Sequence, residues 1–122
     1  MYRKIIITGA INAFLAVALG AFAAHGLKQY FGEYELRIWQ TAVDYQMAHA
    51  LGLILIGLLA KTLGIDLSKP GLIMLVGIAL FSGSLYALSL SGMKTLGMIT
   101  PLGGMCFLIA WVWLAIAVYK NR

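Results

Sequence analysis

Residues Gly71–Ser91 read GLIMLVGIALFSGSLYALSLS, twenty-one consecutive positions without a charged side chain. A helix needs about 20 mainly apolar residues to cross the ~30 Å hydrocarbon core of a bilayer, so this stretch predicts a transmembrane helix. Three similar stretches accompany it, at Ile5–Ala24, Trp39–Ala60 and Gly97–Tyr119. The sequence therefore predicts an all-α integral membrane protein, a bundle of four transmembrane helices that forms a single domain over residues 1–122.

The composition of the whole chain supports this class. The 122 residues are 62% hydrophobic and 11% charged, with a mean hydropathy of +0.94. Soluble domains are nearer ~45–50% apolar and ~25% charged. Asp44 is the only charged residue inside a predicted span, whereas a soluble bundle would carry charge along each outward helix face. These features exclude a soluble domain, and a single cysteine excludes a disulfide scaffold.

The distribution of lysine and arginine predicts the orientation. Six of these residues lie in the N-terminus, second loop and C-terminus, and three lie in the first and third loops. The positive-inside rule then predicts that both termini are cytoplasmic. The cations are dispersed, which argues against a nucleic-acid partner. Attraction to membrane lipid headgroups suffices to explain the basic charge.

The first loop is the only long one. Its apolar and aromatic residues recur at roughly helical spacing, which predicts a short amphipathic segment between the first two helices; they are Leu27, Tyr30, Phe31, Tyr34 and Ile38. Tyr30, Tyr34 and Trp39 suit an aromatic belt at the interface. At the third loop, Thr100 and Pro101 predict a capped start for the fourth helix.

Most polar side chains within the spans lie toward the side of the first and third loops, and only Thr8 and Asn12 are expected deep in the other half of the bilayer. An ionisable residue inside a bilayer is costly, so a functional role is the starting hypothesis for it. If the helix faces converge, the polar residues would form one cup in the outer half of the bilayer. The predicted ligand-binding residues are His49, Gln46, Tyr45, Ser82, Ser84, Tyr86, Thr100, His25 and Asp44.

A purely structural role stands beside the functional one for each of these residues. His49 can simply hydrogen-bond to Tyr86, a serine or a carbonyl group, since interhelical hydrogen bonds are common. Asp44 is shallow and can pair with His25, Lys28, Lys94 or Arg37 and so fix the first loop. Asn12 is better explained as a bond between helices than as a ligand contact.

Small residues predict where helices approach one another. The first helix carries Gly9, Ala13, Ala16, Gly20 and Ala23 on one broad face, and the third carries Ala79, Gly83 and Ala87 at four-residue spacing. Such residues allow close packing within a membrane. Packing inside one bundle is favoured over a homo-oligomer seam.

Motifs of common enzymes are absent from the sequence. There is no Walker loop, no G-x-G-x-x-G and no C-x-x-C. His25 and His49 differ too much in expected depth to share one haem, and Cys106 is expected to be a packing residue. We therefore predict no catalytic residue and no metal site, leave the cofactor unknown, and favour a protein that is not an enzyme.

Four motifs, in order along the chain, resemble a known family. They are GAFAAHGL at 20–27, WQTAVDYQMAHAL at 39–51, LFSGSLY at 80–86 and ITPLGG at 99–104. Together they are similar to bacterial domain-of-unknown-function family 423, a group of small membrane proteins with a related small transmembrane protein in eukaryotes. The resemblance covers essentially the whole chain and implies a four-helix protein of the bacterial cytoplasmic membrane. It implies no activity, substrate or cofactor, and Asp44 is the least typical residue of its motif.

The leading functional hypothesis is a multi-pass membrane protein whose polar cavity binds a small molecule or lipid headgroup, or which supports a membrane complex. A small oligomeric transporter or channel is the first alternative. A membrane enzyme or redox protein that uses His49 is the second. A homo-oligomer or another membrane protein remains open as the partner.

Overall fold

The computed structural model describes residues 2–121. The described chain forms four α-helices and two short 3₁₀ turns, and each long helix is apolar enough to cross a membrane. The 3₁₀ turns, Leu27–Gln29 and Lys94–Met98, lie in the first and third connections. The four helices are α1 (Tyr2–His25), α2 (Glu33–Leu63), α3 (Ser68–Ser91) and α4 (Thr100–Lys120). The predicted all-α architecture with four spans is confirmed.

The bundle is built around α2 and α3. About half of the apolar window of each of these two helices is buried, whereas most of α1 and α4 is exposed. Helix α1 packs on α2, α2 packs on α3, and α3 packs on α4. Helices α1 and α3 scarcely touch. Both peripheral helices present apolar faces outward, as expected for surfaces covered by lipid.

Helix α2 is longer than the predicted span. It has 31 residues, about 46 Å at 1.5 Å per residue, so it exceeds the hydrocarbon thickness or tilts within it. It begins at Glu33, and the predicted amphipathic segment is therefore divided between a 3₁₀ turn and the first turns of α2. Trp39 is only 2% exposed. The placement of Trp39 in an interfacial belt was wrong, because its ring lies inside the bundle.

Helices α3 and α4 begin differently from expectation. Helix α3 begins at Ser68, two residues before Pro70. The backbone N–H of Ser68 donates to the Asp66 carboxylate at 2.9 Å, and hydrogen bonds from Ser68 lower the pKa of Asp66 below its ordinary value. Helix α4 has Pro101 in its first turn, but Thr100 does not cap it. The predicted Thr100 cap was wrong, because the Thr100 hydroxyl is bonded to Ser84 instead.

Small residues bring several helices close together. A methyl group added at Gly9 would lie 2.8 Å from the Ala50 carbonyl oxygen, so α1 and α2 meet there at backbone distance. Ala16 and Ala23 of α1 are also buried. Gly83 of α3, by contrast, faces open space. The small-residue stripe of α1 therefore serves packing within the bundle, while Gly83 of the α3 stripe has no packing neighbour.

The contact between α3 and α4 generates a matched pair of predictions. A methyl group at Gly103 would lie 2.7 Å from the Cα of Phe81. Because overpacking of this kind costs about 1–3 kcal/mol, we expect Gly103→Ala to lower the free energy of unfolding by that amount. Gly83→Ala should leave it unchanged or raise it by up to about 1 kcal/mol. Unfolding in detergent micelles measures both, and equal effects would contradict this packing.

A polar cleft between α1 and α3

Three polar side chains form a hydrogen-bonded chain across α1, α2 and α3. The Gln46 amide nitrogen donates to Asn12 Oδ1 at 3.1 Å. The Tyr86 hydroxyl donates to Gln46 Oε1 at 2.7 Å. Asn12 in turn donates to the Thr8 carbonyl oxygen at 2.9 Å, within its own helix. Gln46 therefore uses both ends of its amide to join α1 to α3.

Neighbouring residues hold this chain in place. The Trp39 indole N–H donates to the Leu19 carbonyl oxygen at 2.9 Å. Its ring meets the Tyr86 ring edge to face, with centroids 4.6 Å apart. The Ser82 hydroxyl donates to the Ala42 carbonyl oxygen at 2.7 Å. These contacts fix the position of the Tyr86 hydroxyl beside Gln46.

The same residues line an open cavity of about 230 Å³. It lies between α1 and α3, which scarcely touch, and Gln46 of α2 forms its floor. Its walls combine polar and apolar side chains: Asn12, Leu19, Gln46, Leu75, Ile78, Ala79, Ser82, Gly83 and Tyr86. We call this cavity the α1–α3 cleft. It opens toward the surface of the bundle that lipid would cover.

The polar groups of the cleft retain hydrogen-bonding capacity. The amide nitrogens of Asn12 and Gln46 each carry two hydrogens, and the structure uses one hydrogen of each. The Tyr86 oxygen donates its hydrogen to Gln46 and keeps lone pairs that can accept. No lining residue is charged at neutral pH. The lining residues of the cleft therefore keep the capacity to donate and to accept further hydrogen bonds.

The cleft lies deeper than the predicted cup. Asn12 is about 15 Å along α1 from Tyr2 and about 20 Å from His25, at 1.5 Å per residue. The Asn12–Gln46 pair is therefore near the middle of α1. The estimate from sequence placed Asn12 in the opposite half of the bilayer from Gln46. That separation was wrong, because α2 extends beyond Trp39 and carries Gln46 further into the bundle.

His49 lies outside the cleft, in a cluster of aromatic rings that joins α2 to α4. The Trp111 indole N–H donates to His49 Nε2 at 3.1 Å. Nε2 must then be unprotonated, so Nδ1 carries the hydrogen and donates to the Tyr45 carbonyl oxygen at 2.8 Å. The ring also stacks on Phe107, with centroids 3.6 Å apart. Both ring nitrogens are occupied, and this geometry is that of a packing histidine.

The remaining predicted site residues lie in separate places. Ser84 and Thr100 share a hydrogen bond of 2.6 Å between α3 and α4. Asp44 is exposed and accepts a hydrogen bond from Gln40 at 2.8 Å. His25 is exposed at the end of α1.

The nine predicted site residues therefore do not line one cavity. Of these nine, the cleft is lined by Gln46, Ser82 and Tyr86. Tyr45 is 45% exposed and its ring packs against His49 and Phe81. Asp44 is bonded to Gln40, and Arg37 and Lys94, two of the cations considered as its partners, lie over the Tyr34 ring.

The structure adds Asn12 to the candidate site. Its position on the small-residue face of the first helix was the signal that could have found it. Among residues 2–121, no group of three or more histidine, cysteine or acidic residues is arranged to hold a metal ion. The buried side-chain nitrogen and oxygen atoms of this part of the chain all have hydrogen-bond partners.

Four apolar helices around an internal polar chain define a small multi-pass membrane protein. Comparison with known proteins gives the family. A profile described as "Protein of unknown function (DUF423)" matches residues 19–104. The chain therefore belongs to the DUF423 family, as its motifs suggested.

Relatives named UPF0382 membrane protein match almost the whole chain. One from Bacillus subtilis strain 168 is 51% identical over 120 residues, covering 97% of this chain and 98% of the relative. One from Staphylococcus aureus strain bovine RF122 is 47% identical over 118 residues, covering 97% of each. No solved structure matches the chain. The family identifies a membrane protein and indicates no specific function.

The His49–Trp111 hydrogen bond generates a second prediction. Trp111→Phe keeps an aromatic ring but removes the N–H, so His49 Nε2 loses its partner. Interhelical hydrogen bonds in membranes contribute about 0.6 kcal/mol on average and up to about 1.7. We expect a loss of about 0.5–2 kcal/mol in the free energy of unfolding in micelles.

Trp113→Phe is the matched control for this measurement. Trp113 lies on the same helix, in a shallow groove on the outer face of α4 with Leu108 and Ile109. It should change the unfolding free energy by less than about 0.5 kcal/mol. Equal losses in the two variants would show that the ring size matters and the hydrogen bond does not.

Proposed function

We propose that this protein binds a neutral lipid in the α1–α3 cleft. The hydroxyl or carbonyl group of the lipid would meet Gln46, Asn12 and Tyr86. The observation that carries the proposal is the unused hydrogen-bonding capacity of these side chains beside an open cavity. A structural polar cluster needs no adjoining space, whereas a binding site does.

The chemistry of the cleft favours an uncharged ligand. Its polar lining consists of amide and hydroxyl groups, with no cation or carboxylate. A charged group near the bilayer centre costs several kcal/mol unless it is paired. Neutral molecules with one polar end and long apolar chains can reach this depth from within the membrane. Diacylglycerols, long-chain alcohols and isoprenoid carbonyl compounds belong to this class.

The shape of the cleft favours an elongated ligand. A second cavity of about 150 Å³ lies between α1 and α3 on the side of the termini, and Leu75 lines both cavities. Its other apolar lining includes Ile5, Leu53 and Leu72, and Lys4 and Ser68 are also among its lining residues. An acyl chain placed along Leu75 would continue from one cavity toward the other.

We extend the proposal to orientation. The N-terminus, second loop and C-terminus carry most of the lysine and arginine residues, which favours cytoplasmic termini in the bacterial cytoplasmic membrane. A C-terminal green fluorescent protein fusion should fluoresce in bacteria, and a C-terminal alkaline phosphatase fusion should be inactive. The reverse pattern would invert the orientation while leaving the cleft proposal intact.

Two substitutions test the cleft directly. Tyr86→Phe keeps the ring that packs on Trp39 but removes the hydroxyl. Gly83→Leu adds a side chain where the structure has open space beside the cleft. With 1,2-dioleoylglycerol as the probe, native mass spectrometry in a mild detergent should show a one-to-one adduct of the unmodified protein. We expect about tenfold weaker binding in Tyr86→Phe, equivalent to ~1.4 kcal/mol, and no adduct in Gly83→Leu.

Ser84→Ala provides the matched control. Ser84 lies on the same helix but bonds Thr100 at the α3–α4 contact. It should bind dioleoylglycerol as the unmodified protein does. Thermal unfolding of each variant checks that the fold is retained. Adducts of equal abundance in all variants, or none in the unmodified protein when added dioleoylglycerol binds a control membrane protein, would refute the proposal.

A further inference from the structure

A separate groove lies at the His25 end of α1, between that helix and the first turns of α2. It encloses about 380 Å³ and opens where the first connection leaves the bundle. Small residues form one wall and cationic and amide side chains form the rim. The lining residues are Gly20, Ala23, Ala24, Lys28, Leu36, Arg37 and Gln40. We call this cavity the α1–α2 groove.

We infer that the α1–α2 groove binds an anionic phospholipid, with its phosphate between Lys28 and Arg37. Both cations line the groove and both are exposed. Hydrogen bonds from ammonium or guanidinium groups to phosphate are among the strongest in proteins, and arginine can bind phosphate through two parallel bonds. Gln40 also lines the groove, and its amide nitrogen donates one hydrogen to Asp44.

The wall of the groove suits the apolar part of the same lipid. Gly20, Ala23 and Ala24 leave α1 without long side chains on this face. Leu36 lies on the α2 side. An acyl chain can therefore lie close to the helix surface while the phosphate stays at the interface, where lysine and arginine side chains normally extend.

Two of the acidic residues of this end of the bundle, Glu35 and Asp44, are in contact with other groups. The Glu35 carboxylate lies against Gly32, and the Glu35 carbonyl oxygen accepts from Ser89. Asp44 accepts a hydrogen bond from Gln40. No carboxylate lines the α1–α2 groove, and Asp44 is bonded to Gln40, which does line it. The charged groups that line the groove are the cations Lys28 and Arg37.

The selectivity for an anionic phospholipid must come from the charges that line the groove, and not from the net charge of this end of the bundle. The loop-one end carries Lys28, Arg37 and Lys94 against Glu33, Glu35 and Asp44, which balance. The end with the termini carries six cations against Asp66 alone. A two-cation groove favours a lipid of net negative charge over a zwitterionic one, because a headgroup ammonium would lie near Lys28 and Arg37. This inference uses residues that the neutral-lipid cleft does not share.

The test uses dioleoylphosphatidylglycerol as the probe. Delipidated protein is titrated in a mild detergent, and native mass spectrometry counts the bound lipids. We expect the first binding event of the double variant Lys28→Ala/Arg37→Ala to weaken by about tenfold or more. Dioleoylphosphatidylethanolamine should bind more weakly to the unmodified protein and change little in the variant.

Two control variants distinguish lipid binding at the α1–α2 groove from general electrostatic attraction between the lipid and the protein. Lys61→Ala/Lys69→Ala removes the same charge from the opposite end, and Lys94→Ala removes a cation from the same end that does not line the groove. Both should bind phosphatidylglycerol within about twofold of the unmodified protein. Equal weakening in all three variants would assign binding to bulk electrostatics, and no weakening in Lys28→Ala/Arg37→Ala would also overturn the inference. Dioleoylglycerol binding, which reports on the α1–α3 cleft, should be unchanged in every one of them.

Discussion

The hydrogen bonds of Gln46 are the interaction on which the arrangement of three helices depends. In a bilayer core no water is present to satisfy a polar side chain, so each such group must find a partner within the protein. Gln46 satisfies both ends of its amide, one on α1 and one on α3. This requirement sets the rotation of α2 relative to both neighbours. Loss of the Gln46 side chain would leave Asn12 and Tyr86 without these partners.

A second set of polar contacts, around His49, fixes α4. Gln46 and His49 are three residues apart, on neighbouring parts of the surface of α2. Gln46 contacts α1 and α3, whereas His49 bonds and stacks with residues of α4. Because helix–helix association in lipid has little hydrophobic driving force, these bonds and the close approaches at Gly9 and Gly103 select one packing among several apolar ones.

Hydropathy predicted the four helices because length and composition are local properties. The predicted start of α2 was less accurate. Charged residues such as Glu33 and Arg37 limit the apolar window on this side, but the helix includes them. The polar side chains were individually visible in the sequence, but their grouping was not. Whether His49 meets Tyr86 or Trp111 depends on helix rotation and tilt, which residue spacing along one helix cannot supply. For a related reason, the depths expected from the sequence placed Asn12 and Gln46 in different halves of the bilayer. The register of two antiparallel helices depends on the true length of each helix, which the apolar windows did not give.

The open space in the α1–α3 cleft is the feature that a purely structural account explains least well. Helix α1 uses its small residues to approach α2 closely, as Gly9 shows. Helix α3 instead leaves Gly83 facing open space beside Tyr86. A larger residue there would fill the cleft without meeting a neighbouring atom near the new Cβ. Small residues in membrane helices usually permit contact with another helix, so an uncovered one beside three incompletely used polar groups supports the proposed occupant. Among occupants, a neutral lipid satisfies both the apolar walls and the uncharged polar floor.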